Sequence, residues 1–389
     1  MVYFDNAATT KVSEEVIADI IDSLRNDWAN PSSISEAGMM VREKIEHARK
    51  QIADYINADP EEIIFTGSGS EANNLAIKGF LEADENYRFE CLLSTKIEHP
   101  SVYNICKEYR NKGYNRVEFM PVRDSGIVNI EDFQKVMSEL SDDYYCLVSV
   151  MMANNEIGTI QPIKELCEIT HKHLGVFHTD ATQAFGKIPI DVRDLNVDLM
   201  SVSLHKIGLP KGIGFLYKKK SIKLSPIIHG GHQENGMRAG TENTAYIIAA
   251  GNQVERLSKK EYPNHHIINY MYNKIYDSFM KKNLFFYYNG TLSEHNMLPN
   301  LMSLTFADVN AEALITLMDM KGVQVSTGSA CSAGSKVPSR VLKAIGLYDE
   351  LVFGTIRISI EDDTTQEECD EFVRILGECL ESLKMVGGE

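Results

Sequence analysis

The sequence predicts an α/β protein: a mostly parallel sheet covered by helices on both faces, with a smaller α+β unit after it. Three observations carry that reading. Between about residues 13 and 255, short apolar runs alternate with segments of helical periodicity. Isolated polar residues follow the ends of several of these runs, where open α/β sheets bind their ligands. Beyond residue 255 the alternation gives way to a mixture of strand-like and helix-like stretches.

Taken in order, Ser13 suits a helix N-cap, and Glu14 and Glu15 suit the positive end of that helix's dipole. Val41, Ile45, Ala48, Ile52 and Ile56 recur at helical spacing and mark one buried face. "EIIFT", "CLLST", "YYCLVSVMM", "GVFHTD", "DLMSVS" and "GIGFLY" read as buried strands, most of them separated by helix-length segments. Further on, "KKNLFFYYNG" and "LMSLTFADV" read as strands, and "AEALITLMDM" and "QEECDEFVRILGECLESL" as helices. The expected division is a large domain over 13–255 and a small one built from 1–12 and 256–389.

A chain of 389 residues exceeds the size at which single cores usually stop growing, which fits two domains. Hydrophobic residues at 43% and charged residues at 24% are the balance of a soluble globular protein. No run of about 18 apolar residues occurs, so no transmembrane helix is expected. "MVYFDNAATTKV" has neither a basic n-region nor an apolar h-region, which points to the cytoplasm. Seven scattered cysteines without CxxC spacing read as free thiols. A net charge of −16 disfavours non-specific binding to nucleic acid or anionic membranes.

The polar residues at strand ends are Ser70, His99, Asn155, Asp180 and Lys206. "FTGSGSEANNLAIKG" leads from a strand through a glycine-rich turn into a helix, whose first amides form an anion site. Gly67, Gly69 and Ala72 match the dinucleotide pattern, but no acidic ribose partner closes the next strand, so a simple phosphate is the better ligand. Asp180 ends an apolar run and needs a partner there, and a protonated heterocyclic nitrogen such as that of pyridoxal phosphate would serve. Lys206 stands between two apolar runs. A lysine in such a turn is ordinarily solvated; in a desolvated pocket its amine would be a nucleophile. The pairs His171/His173 and His265/His266 read as surface histidines, and no metal site is expected.

"EHPSV", "NNEIGTIQPI", "HTDATQAFGKIPIDV", "SVSLHKIGLPKGIGFLY", "MRAGTEN" and "STGSACSAGS" together resemble the cysteine desulfurases among class V, fold type I, pyridoxal-phosphate enzymes. The resemblance runs from "YFDNAATT" to "IRIS". It implies the fold type I transferase architecture, with seven strands in the larger sheet. It implies that Lys206 is the Schiff-base lysine, Asp180 the partner of the pyridine nitrogen and Gln183 a donor to the ring oxygen. His99 would stack on the ring and move protons. Gly69, Ser70, Ser203 and His205 would hold the phosphate, joined by Thr241 of a second subunit in a homodimer. Asn155 would contact cofactor and substrate, and Arg357 would bind the substrate carboxylate through its planar fork. Cys331, set among small loop-forming residues, would accept sulfur from L-cysteine as a persulfide. From there the sulfur would pass to an acceptor such as an iron–sulfur scaffold, with Cys331 a possible transient cluster ligand.

The sequence departs from the family pattern at "TGSGS", Leu209, His232 and Glu361, and none of these removes a catalytic group. Within the family, a selenocysteine lyase or a small-amino-acid aminotransferase remains an alternative, although an aminotransferase would not need Cys331. A non-catalytic cofactor-binding regulator is the alternative from another class. Ser203-Leu204-His205-Lys206 also matches S-x-x-K, but its companion hydrolase motifs are missing.

Overall fold

The structure, a computed structural model, describes residues 1–83, 89–114, 116–140, 145–282, 284–328 and 337–386. Its strands, in chain order, are β1 (Val2–Tyr3), β2 (Ile63–Thr66), β3 (Phe89–Thr95), β4 (Arg116–Met120), β5 (Tyr145–Ser149), β6 (Val176–Asp180), β7 (Leu199–Ser203), β8 (Gly214–Lys218), β9 (Tyr287–Tyr288), β10 (Leu301–Thr305), β11 (Val323–Gln324), β12 (Ser326–Thr327) and β13 (Thr355–Ser359).

The larger sheet has seven strands in the order β2-β8-β7-β6-β5-β3-β4. Neighbours from β7 through β4 pair in parallel, while β8 runs antiparallel to both β7 and β2. The sheet is therefore mixed and mostly parallel, as expected. Strands β6 and β7 are buried along their whole length, because helices cover both faces. One core cluster joins these strands to helix Glu36–Tyr55, whose Val41, Ile45, Ala48 and Ile52 are all buried. Ser13 caps helix Glu14–Asn26 by accepting from the Val16 amide. A second cluster on the other sheet face holds helix Gly69–Leu81 through Ala72, Leu75 and Ala76.

A four-stranded antiparallel sheet, β12-β13-β10-β9, carries a separate core with helices His266–Lys281, Ala311–Met320 and Gln366–Val386. The chain start belongs to this core: Val2 and Phe4 pack in it, and β1 pairs with β11. No helix among the described residues is long and apolar enough to cross a membrane.

Two expectations need correction. Cys91 and Cys146 face each other in the β3–β5 register, Cα atoms 4.9 Å apart, and form a disulfide. The expected set of free thiols is therefore wrong for this pair, because parallel pairing brings together residues far apart in sequence. Cys106, Cys167, Cys369 and Cys379 are free and buried. In addition, among the described residues of "KKNLFFYYNG" only the two-residue β9 is strand, with Phe285 and Tyr287 largely exposed.

Candidate active site

The carboxyl ends of β6 and β7 open onto a cavity of about 480 Å³. Asp180 is the last residue of β6 and Ser203 the last of β7. The short turn Leu204–Lys206 follows at once and delivers His205 and Lys206 to the same cavity. Gly69, Ser70, His99, Asn155, Gln183 and Arg357 line it as well. Ten expected site residues thus meet in one place.

Helix Gly69–Leu81 starts at the cavity, with Ser68 as N-cap accepting from the Glu71 amide. The amides of Gly69 and Ser70 lie in its first turn, where no intrahelical acceptor exists. Gly69 is required by space: a Cβ there would lie 2.9 Å from Ser203 Cβ and 3.2 Å from Thr182 Oγ1. The glycine-rich turn is closed by Glu71, which accepts from the Gly67 amide at 2.9 Å and from Arg238 Nε at 2.9 Å.

Asp180 is buried and accepts from Asn73 Nδ2 at 2.7 Å and from the Thr182 amide at 3.0 Å. Lys206 Nζ donates to the carbonyls of Ala7 at 2.6 Å and Ala8 at 2.5 Å. Gln183 Nε2 also donates to the Ala7 carbonyl, at 3.0 Å. The segment Asp5–Thr10 therefore passes over the lysine, tied by Thr10 to the His205 carbonyl and by Ala7 to Ser359 Oγ at the end of β13.

Arg357 projects from β13 with only 2% exposure. Its Nη1 donates to the Asn155 carbonyl at 2.8 Å, and its Nη2 to Asp5. Its Nε is buried and has no partner among the described residues. A native protein rarely leaves such a donor unmet, and it lies in a residue that lines the cavity.

The titrating groups are tuned by burial. Desolvation lowers the His99 pKa, with Lys206 and Arg340 acting in the same sense and Asp180 opposing them. His205 is pushed down to about 4 by burial and by the charges of Lys206 and Lys211, so it is neutral at pH 7. Its Nδ1 lies 3.2 Å from Thr9 Oγ1. Glu156, beside Asn155, is pushed up to about 7 by burial and accepts from Ser339 Oγ.

One expected residue does not join the cavity, and another is not described. Thr241 is exposed on the chain's own surface and does not line it. Cys331 lies outside the described residues. Several contributors were not singled out from sequence: Asn73, Ser101, Thr182 and the carbonyls of Ala7 and Ala8. Asn73 had a readable signal, being a polar residue on the packed face of a helix otherwise marked by Ala72, Leu75 and Ala76.

The aminotransferase class-V family model matches residues 2–372. The chain belongs to that family, in its cysteine desulfurase branch. It is 40% identical over 389 residues to a cysteine desulfurase IscS of Dictyoglomus turgidum, covering 99% of this chain and 96% of that one. A putative cysteine desulfurase IscS 1 of Bacillus subtilis is 41% identical, with 94% and 95% covered. Among solved structures, a NifS-like protein superposes with a TM-score of 0.87 at 34% identity, over 98% of this chain and 99% of that one. SspA, solved in complex with cysteine, superposes with a TM-score of 0.78 at 34% identity, over 94% and 100%. Members of this class-V family are pyridoxal-phosphate enzymes, and the mixed seven-stranded sheet with its smaller companion is their fold.

Proposed function

We propose that this chain is a pyridoxal-phosphate-dependent cysteine desulfurase converting L-cysteine to L-alanine, with the sulfur captured on Cys331. The observation that carries the reading is the meeting of Lys206, Asp180 and an unpartnered Arg357 Nε at one cavity.

The residues present suit the cofactor. Asp180, as a carboxylate, retains acceptor capacity beyond its two protein donors and is a fitting partner for a protonated pyridine nitrogen. The first amides of helix Gly69–Leu81, with Ser70, Ser203 and His205, would hold a phosphate. Lys206 would anchor the aldehyde carbon, and Gln183 and His99 would face the ring. When bound, pyridoxal phosphate supplies an electron sink for negative charge developing at the substrate α-carbon.

The protein's own groups do the rest. Arg357 would bind the substrate carboxylate through Nε, already oriented by Asp5 and the Asn155 carbonyl. The Lys206 amine would take and return the proton at the substrate α-carbon. The Cys331 thiolate would attack the substrate sulfur: a sulfur–sulfur bond forms, the carbon–sulfur bond breaks, and the β-carbon gains a proton to give alanine. The resulting persulfide would pass to an acceptor protein such as an iron–sulfur scaffold.

A homodimer is part of the proposal. Thr241 is exposed and would reach a second subunit's phosphate. Trp28 and Ile34 are 79% and 94% exposed on this chain, apolar surface that a second copy would cover. The test of the function is one experiment: visible absorbance before and after adding L-cysteine, with alanine and sulfide measured together under a reductant. Equal amounts of alanine and sulfide are expected. A spectral change without alanine would leave a cofactor-binding protein and end the desulfurase reading.

A further inference from the structure

His99 is the N-cap of helix Pro100–Asn111, and its ring lines the cavity. The Ser101 amide donates to His99 Nδ1 at 3.2 Å, and Ser101 Oγ lies 2.7 Å from the same nitrogen. Ser101 Oγ also lies 2.8 Å from Asn73 Nδ2, which in turn lies 2.7 Å from Asp180 Oδ2. Asn73 is 1% exposed, so solvent offers it no substitute partner.

Donor and acceptor roles along this chain follow from its fixed end. An ionised carboxylate only accepts, so the Asn73 group facing Asp180 is the amide NH₂. That nitrogen has two protons, and its second donation goes to Ser101 Oγ. A hydroxyl accepting from Asn73 keeps its single proton for its other neighbour, His99 Nδ1. Nδ1 therefore receives two donors, the Ser101 hydroxyl and the Ser101 amide, and must present its lone pair. The proton of the neutral imidazole then resides on Nε2.

We propose that Asn73 and Ser101 are positioning residues that fix His99 as its Nε2–H tautomer, so that the ring meets the bound reactants as a hydrogen-bond donor and not as a base. The assignment deepens the reading above and rests on it, since it matters only if cofactor and cysteine occupy this cavity. It also divides labour there: α-proton removal falls to Lys206, and His99 stabilises charge without taking the proton. The other charged and titratable groups around the ring are Asp180, which favours protonation, Lys206 and Arg340, which oppose it, and His205. All four stay in place when Ser101 is changed, so the effect of the serine can be isolated.

The test uses full-length protein supplied with pyridoxal phosphate and labelled with ¹⁵N-histidine. Long-range proton–nitrogen correlation spectra report the tautomer and protonation midpoint of each imidazole, and His99→Asn identifies the signal. Wild type should show His99 as Nε2–H over the neutral range. Ser101→Ala removes one of the two donors that oppose a proton on Nδ1, so the midpoint should rise by about one unit. Asn73→Leu frees the Ser101 hydroxyl to turn and accept, so it should raise the midpoint and admit the Nδ1–H form. Ser101→Thr, which keeps the hydroxyl, should restore wild-type behaviour. A wild-type His99 protonated on Nδ1, or a Ser101→Ala protein with unchanged tautomer and midpoint, overturns the proposal. Cofactor binding is read separately from visible absorbance, so failure to bind it counts against the function and leaves the tautomer still measurable.

Discussion

Arg357 Nη2 donates to Asp5 Oδ1 at 2.7 Å, joining the fourth residue after the chain start to a strand more than three hundred residues away. The guanidinium is 2% exposed, so the pairing compensates a charge that would otherwise be buried alone. Its Nε is buried and has no partner among the described residues.

Arg357→Lys should raise the KM for L-cysteine by roughly 10- to 100-fold while cofactor retention changes little, because a lysine ammonium cannot place a donor where Nε–H stands and also keep the Asp5 and Asn155 contacts. Asp5→Ala should lower stability by about 3 kcal/mol, since it leaves a buried cation unpaired. Steady-state kinetics and thermal unfolding check the two effects. An Arg357→Lys enzyme with unchanged KM would mean that another group holds the carboxylate.

Glu98 predicts how stability varies with pH. The side chain is buried, accepting from Thr95 Oγ1 at 2.7 Å and from the Met151 amide at 3.1 Å. Burial pushes its pKa from 4.5 up to about 8, with the Asp180 charge adding and Arg340 opposing. Between these values the unfolded chain releases this proton and the folded protein keeps it. The favourable contribution is complete below the unfolded pKa and is lost as pH rises toward 8. Over that window Glu98 should remove about 1.4 kcal/mol per pH unit. Glu98→Gln, which cannot ionise, should flatten the profile, so that its stability relative to wild type improves steadily from pH 5 to pH 8. Denaturant unfolding at a series of pH values measures this. Parallel profiles for the two proteins would contradict it.

Much of the fold was legible because buried strands declare themselves as apolar runs. Six strands of the larger sheet were named that way. β4 was missed because it is an edge strand: only Val117 and Met120 of its five residues are buried, so it has no continuous apolar run. The site was legible where a polar residue ends such a run, as Asp180 and Lys206 do. Asp5 and the Ala7 and Ala8 carbonyls were not, since their role depends on the chain start crossing over Lys206. The Cys91–Cys146 pairing was hidden for a related reason: it needs the spatial order of strands, which places β5 beside β3.

Thr241 tests the composite site. The loop before it is pinned to its own subunit by Glu234, which accepts from Arg49 Nη1 at 2.7 Å and Nη2 at 2.8 Å and from the Phe65 amide at 2.8 Å. Glu234 and Asn235 both adopt positive φ, 46° and 54°, so the loop is held in a shape that side chains rarely choose. The proposed homodimer would bring the exposed Thr241 at the end of this loop to a second subunit's phosphate site. Thr241→Ala should weaken cofactor retention, and Lys206→Ala should abolish turnover. Mixing equal amounts after subunit exchange should give roughly a quarter of wild-type activity, because one site in each mixed dimer is intact. No recovery from demonstrated mixed dimers would assign the phosphate site to a single chain.

Cys331 is the residue on which the desulfurase and aminotransferase readings part. The sequence surrounds it with glycine, serine and alanine, so its proposed value lies in its thiolate. The four free buried cysteines of the described residues are poor substitutes: burial drives the Cys106 and Cys369 thiols up to about 12 and raises Cys167 and Cys379 as well. Such thiols remain protonated at neutral pH and cannot attack sulfur. Cys331→Ala should therefore fold, retain the cofactor and still change its visible spectrum on adding cysteine. Alanine and sulfide release should fall at least about a hundredfold, because the carbon–sulfur bond has lost its acceptor. Wild-type protein treated with cysteine and then alkylated should carry one additional sulfur on the Cys331 peptide, seen by mass spectrometry, and the variant none. If Cys331→Ala releases alanine and sulfide at the wild-type rate, sulfur does not pass through this residue and the proposed chemistry fails.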